Sequence, residues 1–268
     1  MSEIQKNKNF TNIIINNIAG TSKSTEQPDL IKLGILLKDN FDKYDNIIGL
    51  KYDDVSLGEM SKKKFPNTIL CIKLLSIDET GNNIIIRFFK NKSIHISGFK
   101  ILGEEKRNIN YLKKIIIKNG IFENLENKID FKFYNFRVCN IISKYSVNFP
   151  IDRYKLSLIL KERYSGIQHR LSAGYSGLLI YWFYNKNKKV QNGMCECKDN
   201  YCILKSKSHT GDGPKNCKKI TLSIFAYKKE KKCGYILVLG SINIQQINAA
   251  YSFVNNIIMK EYDNIIMK

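Results

Sequence analysis

Apolar positions along this chain recur with two periods, alternate over short stretches and three to four apart over longer ones, and the two patterns succeed one another in the same order twice. The first round opens with an apolar strand at residues 12–18 (NIIINNI). A polar loop, GTSKSTEQPD at 20–29, leads through Pro28 and Asp29 into a helix carrying Leu33 and Leu37. A charged segment rich in Asp and Lys runs on to Lys62, Lys63 and Lys64. Strands are expected at 65–74, 83–89 and 93–98, the first two joined by the turn-rich SIDETG. A helix starting near Glu104 then places Ile109, Leu112 and Ile116 on one face and stops at Asn119-Gly120.

The second round repeats this course. A long strand, FYNFRVCNIISKYSV, ends near Val147, and Pro150-Ile151-Asp152 opens a helix with Leu156, Ile159 and Leu160 that ends near Arg163. Strands follow at 177–184, 220–225 and 235–239. The last helix holds Ile244, Ile247, Tyr251, Val254 and Ile258 at helical spacing. Residues 185–219 form an insertion with no counterpart in the first round. The stretch RFFKNKSIHISGFK returns in degraded form as IFAYKKEKKCGYILVLGS, which marks a tandem duplication of repeats at 9–122 and 131–262. The expected fold is α+β: a pseudo-twofold pair of repeats forming one curved antiparallel sheet of about eight to ten strands, with helices on its convex face.

Strand alternation sorts the faces. Ile86 and Phe88 share a side with Ile94 and Ile96, a core side, while Leu70, Ile72 and Leu74 do the same in the preceding strand. The opposite side carries Ile85, Arg87 and Phe89, then Ser93, His95 and Ser97, and before them Phe65, Asn67, Ile69, Cys71 and Lys73. Large aromatics on a polar, basic side suit a wedge offered to a ligand, and Phe65 follows three lysines. Core packing beneath a loop is the competing reading of Phe89. In the second round the same side reads Phe225, Tyr235, Leu237 and Leu239, which is more apolar.

Charge sharpens this picture. Lys and Arg outnumber Asp and Glu 44 to 24, giving a net charge of +20, which attracts polyanions without specifying a fold. Abundant Lys, Asn and Ile also fit a surface made basic by an AT-rich genome. A 43% hydrophobic fraction and 11% aromatics indicate a globular chain. The start, MSEIQKNKNF, lacks a signal-peptide core, and the longest apolar run, 178–184, is far short of the roughly 20 residues that span a bilayer. A soluble intracellular protein without a membrane partner or a small-molecule substrate is expected. No paired-carboxylate, P-loop or metallohydrolase pattern is present, so the chain is read as a non-enzyme.

The cysteines add a second candidate chemistry. Cys195, Cys197, Cys202 and Cys217 crowd the insertion, with His209 between them. Four soft ligands in a loop without its own core could form a tetrahedral zinc site, and the metal would order a segment that apolar burial cannot. Plain thiols remain the alternative, because the spacing C-x-C-x4-C-x14-C lacks paired C-x2-C knuckles. No cofactor is otherwise required.

Taken in order, these stretches resemble the TATA-box-binding protein family, and more closely its divergent members in large DNA viruses. NIISKYSVNFPIDRYKL (140–156) is similar to the first strand and helix of the family's second repeat. FKNKSIHISGFK and CKKITLSIF resemble the paired third and fourth strands, and YNKNKKVQNGMCECKDNYC resembles a Cys-containing insertion of the viral members. The resemblance covers most of the chain. It implies that Phe65, Phe89 and Phe225 stand at intercalating positions, with Tyr175 at the fourth and Tyr164 as the competing register. Asn12 and Asn140 match the asparagines at the centre of the family's DNA-facing sheet, and Lys64 and Lys100 match backbone-contacting cations. Arg87, Ser97, Leu237 and Leu239 fall on the same DNA-facing side. The implied function is a transcription initiation factor that bends AT-rich promoter duplex through the minor groove, with RNA polymerase and initiation factors as partners. The implied setting is the nucleus or a viral replication compartment, with packaging in the virion as a further option. The alternative is a protein-interaction scaffold of the same fold that has lost sequence-specific DNA binding.

Overall fold

The computed structural model describes residues 10–25, 28–60, 67–75, 82–122, 132–195, 197, 202, 209–227 and 233–267. The chain clusters into two compact units, Asn17–Cys139 and a second made of Met1–Asn16 with Asn140–Lys268.

In the amino-terminal unit the elements are β1 (Ile14–Ser24, whose first three residues fall to the other unit), α1 (Leu30–Asp39), β2 (Ile47–Tyr52), β3 (Val55–Gly58), β4 (Thr68–Leu75), β5 (Asn83–Phe89), β6 (Ser93–Phe99) and α2 (Glu104–Lys118). Their hydrogen-bonded order is β3-β2-β4-β5-β6-β1, antiparallel throughout. Register follows the apolar alternation: Ile86 lies between Ile72 and Ile96, and Phe88 between Leu70 and Ile94. These side chains are buried with Leu33 and Leu37 of α1 and Leu112 and Ile116 of α2. The start of α1 is fixed by Asp29, whose carboxylate accepts the N–H groups of Ile31 at 3.1 Å and Lys32 at 3.0 Å.

The carboxy-terminal unit contains the second part of β7 (Phe133–Val147), α3 (Arg153–Arg163), β8 (Gln168–Leu171), β9 (Gly177–Tyr184), β10 (Lys218–Phe225), β11 (Gly234–Ser241), α4 (Ile244–Lys260) and α5 (Tyr262–Ile265). Its order is β7-β11-β10-β9-β8, so the first strand again pairs with the last and the remainder follow in reverse. Asp152 caps α3 as Asp29 caps α1, accepting from Tyr154 N at 3.0 Å and Lys155 N at 3.1 Å. The loop into the last helix also repeats. Glu104 Oε2 accepts from Lys100 N at 3.0 Å, and Gln246 Oε1 accepts from Ile242 N at 2.9 Å. The core gathers Tyr145, Trp182, Ile236, Val238, Val254 and Ile258, and the Tyr145 hydroxyl bonds Asn255 at 2.8 Å.

Five readings of the sequence need correction. Gly20–Ser24 are strand and not loop, because small residues of β1 pair with Ser93–Ile96 of β6. The first strand starts at Ile14, so Asn12 precedes it. The charged segment conceals the hairpin β2–β3, whose turn puts Asp53 at φ 51°. β8 was also not foreseen, which brings the described strands to eleven. The strand expected from Phe65 begins at Thr68, and Lys64 and Phe65 lie outside the described residues.

Candidate nucleic-acid interface and metal centre

Buried and more exposed residues alternate strictly along β5, and along β6 and β11 up to the glycine near the strand end, so each unit presents a second sheet face opposite its buried one. In the amino-terminal unit that open face reads Thr21 and Lys23, then Ser93, His95 and Ser97, then Ile85, Arg87 and Phe89, then Ile69, Cys71 and Lys73. Arg87 and His95 are cross-strand partners, with Nη1 and Nδ1 3.3 Å apart. Burial, and then the neighbouring guanidinium, lower the His95 pKa below its usual value, which keeps the imidazole neutral at physiological pH. A guanidinium has no lone pair to offer, so His95 Nδ1 accepts and its Nε2 carries the proton. Phe89 is partly exposed at the end of β5, opposite Thr68. Lys100 is exposed in the bend after β6.

The carboxy-terminal unit places Phe225 at the position of Phe89, but encloses it. The Tyr235 ring stacks on Phe225 at 4.4 Å and 5°, Tyr175 meets it edge-on at 5.7 Å, and Phe225 is left 9% exposed. Tyr175 is the outermost ring of this trio, at 37% exposure. Tyr164, the competing register, lies on the helical side, where its hydroxyl meets the buried Glu261 carboxylate at 3.3 Å. Leu237 and Leu239 are half-buried on the open face, across from Ser223 and Thr221.

A pair of asparagines organises the first strand of each unit. Asn140 Oδ1 accepts from Gly240 N at 2.8 Å, and Asn17 Oδ1 accepts from Gly98 N at 2.7 Å. Both glycines have φ near +100°, at 92° and 108°, and both sit at the irregularity where the last strand of the unit meets the first. Asn17, and not Asn12, is thus the counterpart of Asn140 in making this bond; Asn12 is exposed ahead of β1. The sequence held the signal: Asn17 precedes the capping Asp29 by the same twelve positions that separate Asn140 from Asp152. The run NIIINN at 12–17 hides it, since several asparagines there flank apolar residues.

The four cysteines of the insertion converge. Their Sγ atoms lie within 4.8 Å of one another, with 195–217 at 3.9 Å, 197–217 at 3.7 Å and 197–202 at 3.4 Å. These separations are far beyond a disulfide's ~2.05 Å. They are close to the roughly 3.8 Å edge of a tetrahedron whose centre is about 2.3 Å from four sulfurs. Burial pushes Cys217 up to about 11 and raises Cys202 further, whereas Cys197, despite its own burial, is held low by hydrogen bonds from Cys202, Cys217 and Cys195. The N–H of Cys217 points at Cys202 Sγ, 3.3 Å away, and Asn185 Nδ2 reaches Cys217 Sγ at 3.5 Å, both placed to stabilise thiolate. This cluster could hold a metal ion. His209 is not among the converging ligands.

Comparison with known proteins places this geometry. No family model matches the chain. A TATA-box-binding protein-like protein of Acanthamoeba polyphaga mimivirus is 26% identical over 219 residues, 76% of this chain. The Methanococcus jannaschii TBP structure superposes with a TM-score of 0.50 at 14% identity, covering 93% of this chain and 99% of that one. The chain resembles the TATA-box-binding proteins, and its fold is theirs. The match spans about half the length of the viral relative, 51% of it. Within this TATA-box-binding-protein-like fold the open sheet faces, the two Asn–Gly bonds and the aromatic corners are features of the chain itself. Among the described residues no helix is long and apolar enough to cross a membrane.

Proposed function

We propose that the chain is a TATA-box-binding-like transcription initiation factor, without catalytic activity, that binds and bends AT-rich promoter duplex through the minor groove. The reading rests above all on one observation: the first strand of each unit carries an Asn–Gly bond beside an open face that ends in an aromatic, Phe89 in one and the Phe225–Tyr175 pair in the other. Wedges of this kind partly unstack a base step, and cations hold the phosphates of the bent duplex. Phe65, Phe89, Phe225 and Tyr175 are the proposed wedges. Asn17 and Asn140, with Arg87, Ser97, Leu237 and Leu239, would line the groove, and Lys64 and Lys100 would meet the backbone. The repeats are assigned to 9–122 and 131–262, and the helical side to polymerase and initiation factors. Such a role belongs in the nucleus or in a viral replication compartment.

The tetrahedral sulfur spacing supports one structural zinc on Cys195, Cys197, Cys202 and Cys217. The apolar surface of Leu179, Leu237 and Leu239 favours a second reading, a protein-binding scaffold. Titration of a short AT-rich duplex by fluorescence, across a range of salt, separates the two: steep salt dependence supports the promoter reading, and no binding supports the scaffold.

A further inference from the structure

The cysteine cluster sits on a particular side of the sheet. In the β9–β10 pairing Phe183 is opposite Lys219 and Tyr181 is opposite Thr221, while Trp182 and Tyr184 are opposite Ile220 and Lys218. Trp182 meets Phe253 of α4 at 5.8 Å, so the even-numbered residues face the helices and Phe183 faces away from them. Phe183 is nonetheless 2% exposed, because Cys202 and Cys217 cover it, with Cys195, Cys197 and Tyr181 packed alongside. The thiol cluster therefore stands on the open face of the carboxy-terminal unit, on the same side as Phe225, Leu237 and Leu239.

Its surroundings are basic. Lys219 Nζ lies 4.1 Å from the Tyr181 ring centroid on that face, Lys215 is exposed two residues before Cys217, and Arg170 of β8 is exposed opposite Leu179. Residues 185–219 contain nine lysines against three acidic residues. A dication on four thiolates leaves two negative charges, so the segment stays basic when loaded.

We infer that the metal-ordered cysteine lobe, with Lys215 and Lys219, is a phosphate-contacting rim of the duplex-binding face and not a remote structural appendage. This rests on the duplex reading above. Apolar burial in the lobe centres on Phe183, hydrogen bonds among Asn185, Thr210, Gly211, Gly213, Asn216 and Gln246 tie it to the unit, and an ion on the four sulfurs would add a further cross-link. The ordered lobe would then present Lys215 and Lys219 beside the open face of the carboxy-terminal unit, within reach of the phosphates of a duplex bound there.

The test uses the whole 268-residue, zinc-loaded chain and one AT-rich duplex of about 20 base pairs. The double variant K215Q/K219Q should lower the salt slope by about two and weaken binding roughly ten- to thirtyfold near 0.15 M salt. On the wild-type chain, lysine acetylation read by mass spectrometry should show Lys215 and Lys219 protected by the duplex, a readout that needs no variant to fold. An unchanged slope, or both lysines equally modified with and without duplex while the wild type binds, overturns the rim. If the wild-type chain does not bind the duplex at all, the duplex reading fails and the rim fails with it.

Discussion

Asn17 and Asn140 each use one amide oxygen to hold the N–H of a glycine that no ladder partner can reach. Asn17→Ala and Asn140→Ala should each cost about 1 kcal/mol of unfolding free energy by urea titration, whereas Asn12→Ala should stay within about 0.5 kcal/mol. The glycines themselves differ. A Cβ on Gly98 would stand 2.1 Å from the Asn83 carbonyl oxygen, but on Gly240 it would stand 3.2 Å from that of Lys219. Both positions have positive φ, so both alanine variants are strained, and Gly98→Ala should be the worse at about 3 kcal/mol against about 1–2 for Gly240→Ala. Equal losses in the two would mean that the close approach at Gly98 relaxes freely. The neutral His95 beside Arg87 sets a further residue-scale feature of the first face, a row of donors where the second face has Leu237.

At the scale of elements, most of the secondary structure was legible because burial imposes strict periodicity. The bounds of β5, β9 and α3 follow directly from alternation and from Asp152, and α4 from its apolar stripe. What escaped had weak periodicity for physical reasons. β8 is a four-residue edge strand, Gln168–Leu171, with no buried residue to report its pairing. The β2–β3 hairpin is short and flanked by charge, though Asp53-Asp54 between apolar residues is a turn signal of the expected kind. The face chemistry was legible for Arg87 and Phe89, but the enclosure of Phe225 by Tyr235 depends on a cross-strand stack that spacing does not reveal. For the insertion, the convergence of four thiols was legible as a possibility and its side of the sheet was not. Protein purified without chelator should carry about one zinc per chain by elemental analysis, and Cys217→Ser should abolish it. Metal-free protein with four freely titrating insertion thiols would contradict that assignment.

For the whole molecule, a net charge of +20 guarantees attraction to any polyanion, so affinity alone distinguishes little. Deformation of the duplex distinguishes more, because cations bind a straight duplex as readily as a bent one while wedges require the kink. Phe89→Ala should therefore reduce bending and weaken binding with little change in thermal stability, since its ring is only partly buried at a strand end. The decisive measurement is energy transfer between dyes at the two ends of a short AT-rich duplex, titrated with wild-type chain and with Phe89→Ala at two salt concentrations. The account predicts a rise in transfer on wild-type binding, steeply weakened by salt, and a smaller rise with Phe89→Ala. Binding that leaves the end-to-end distance unchanged, or no binding by a folded wild-type chain, would contradict it and leave the open faces as protein-binding surfaces.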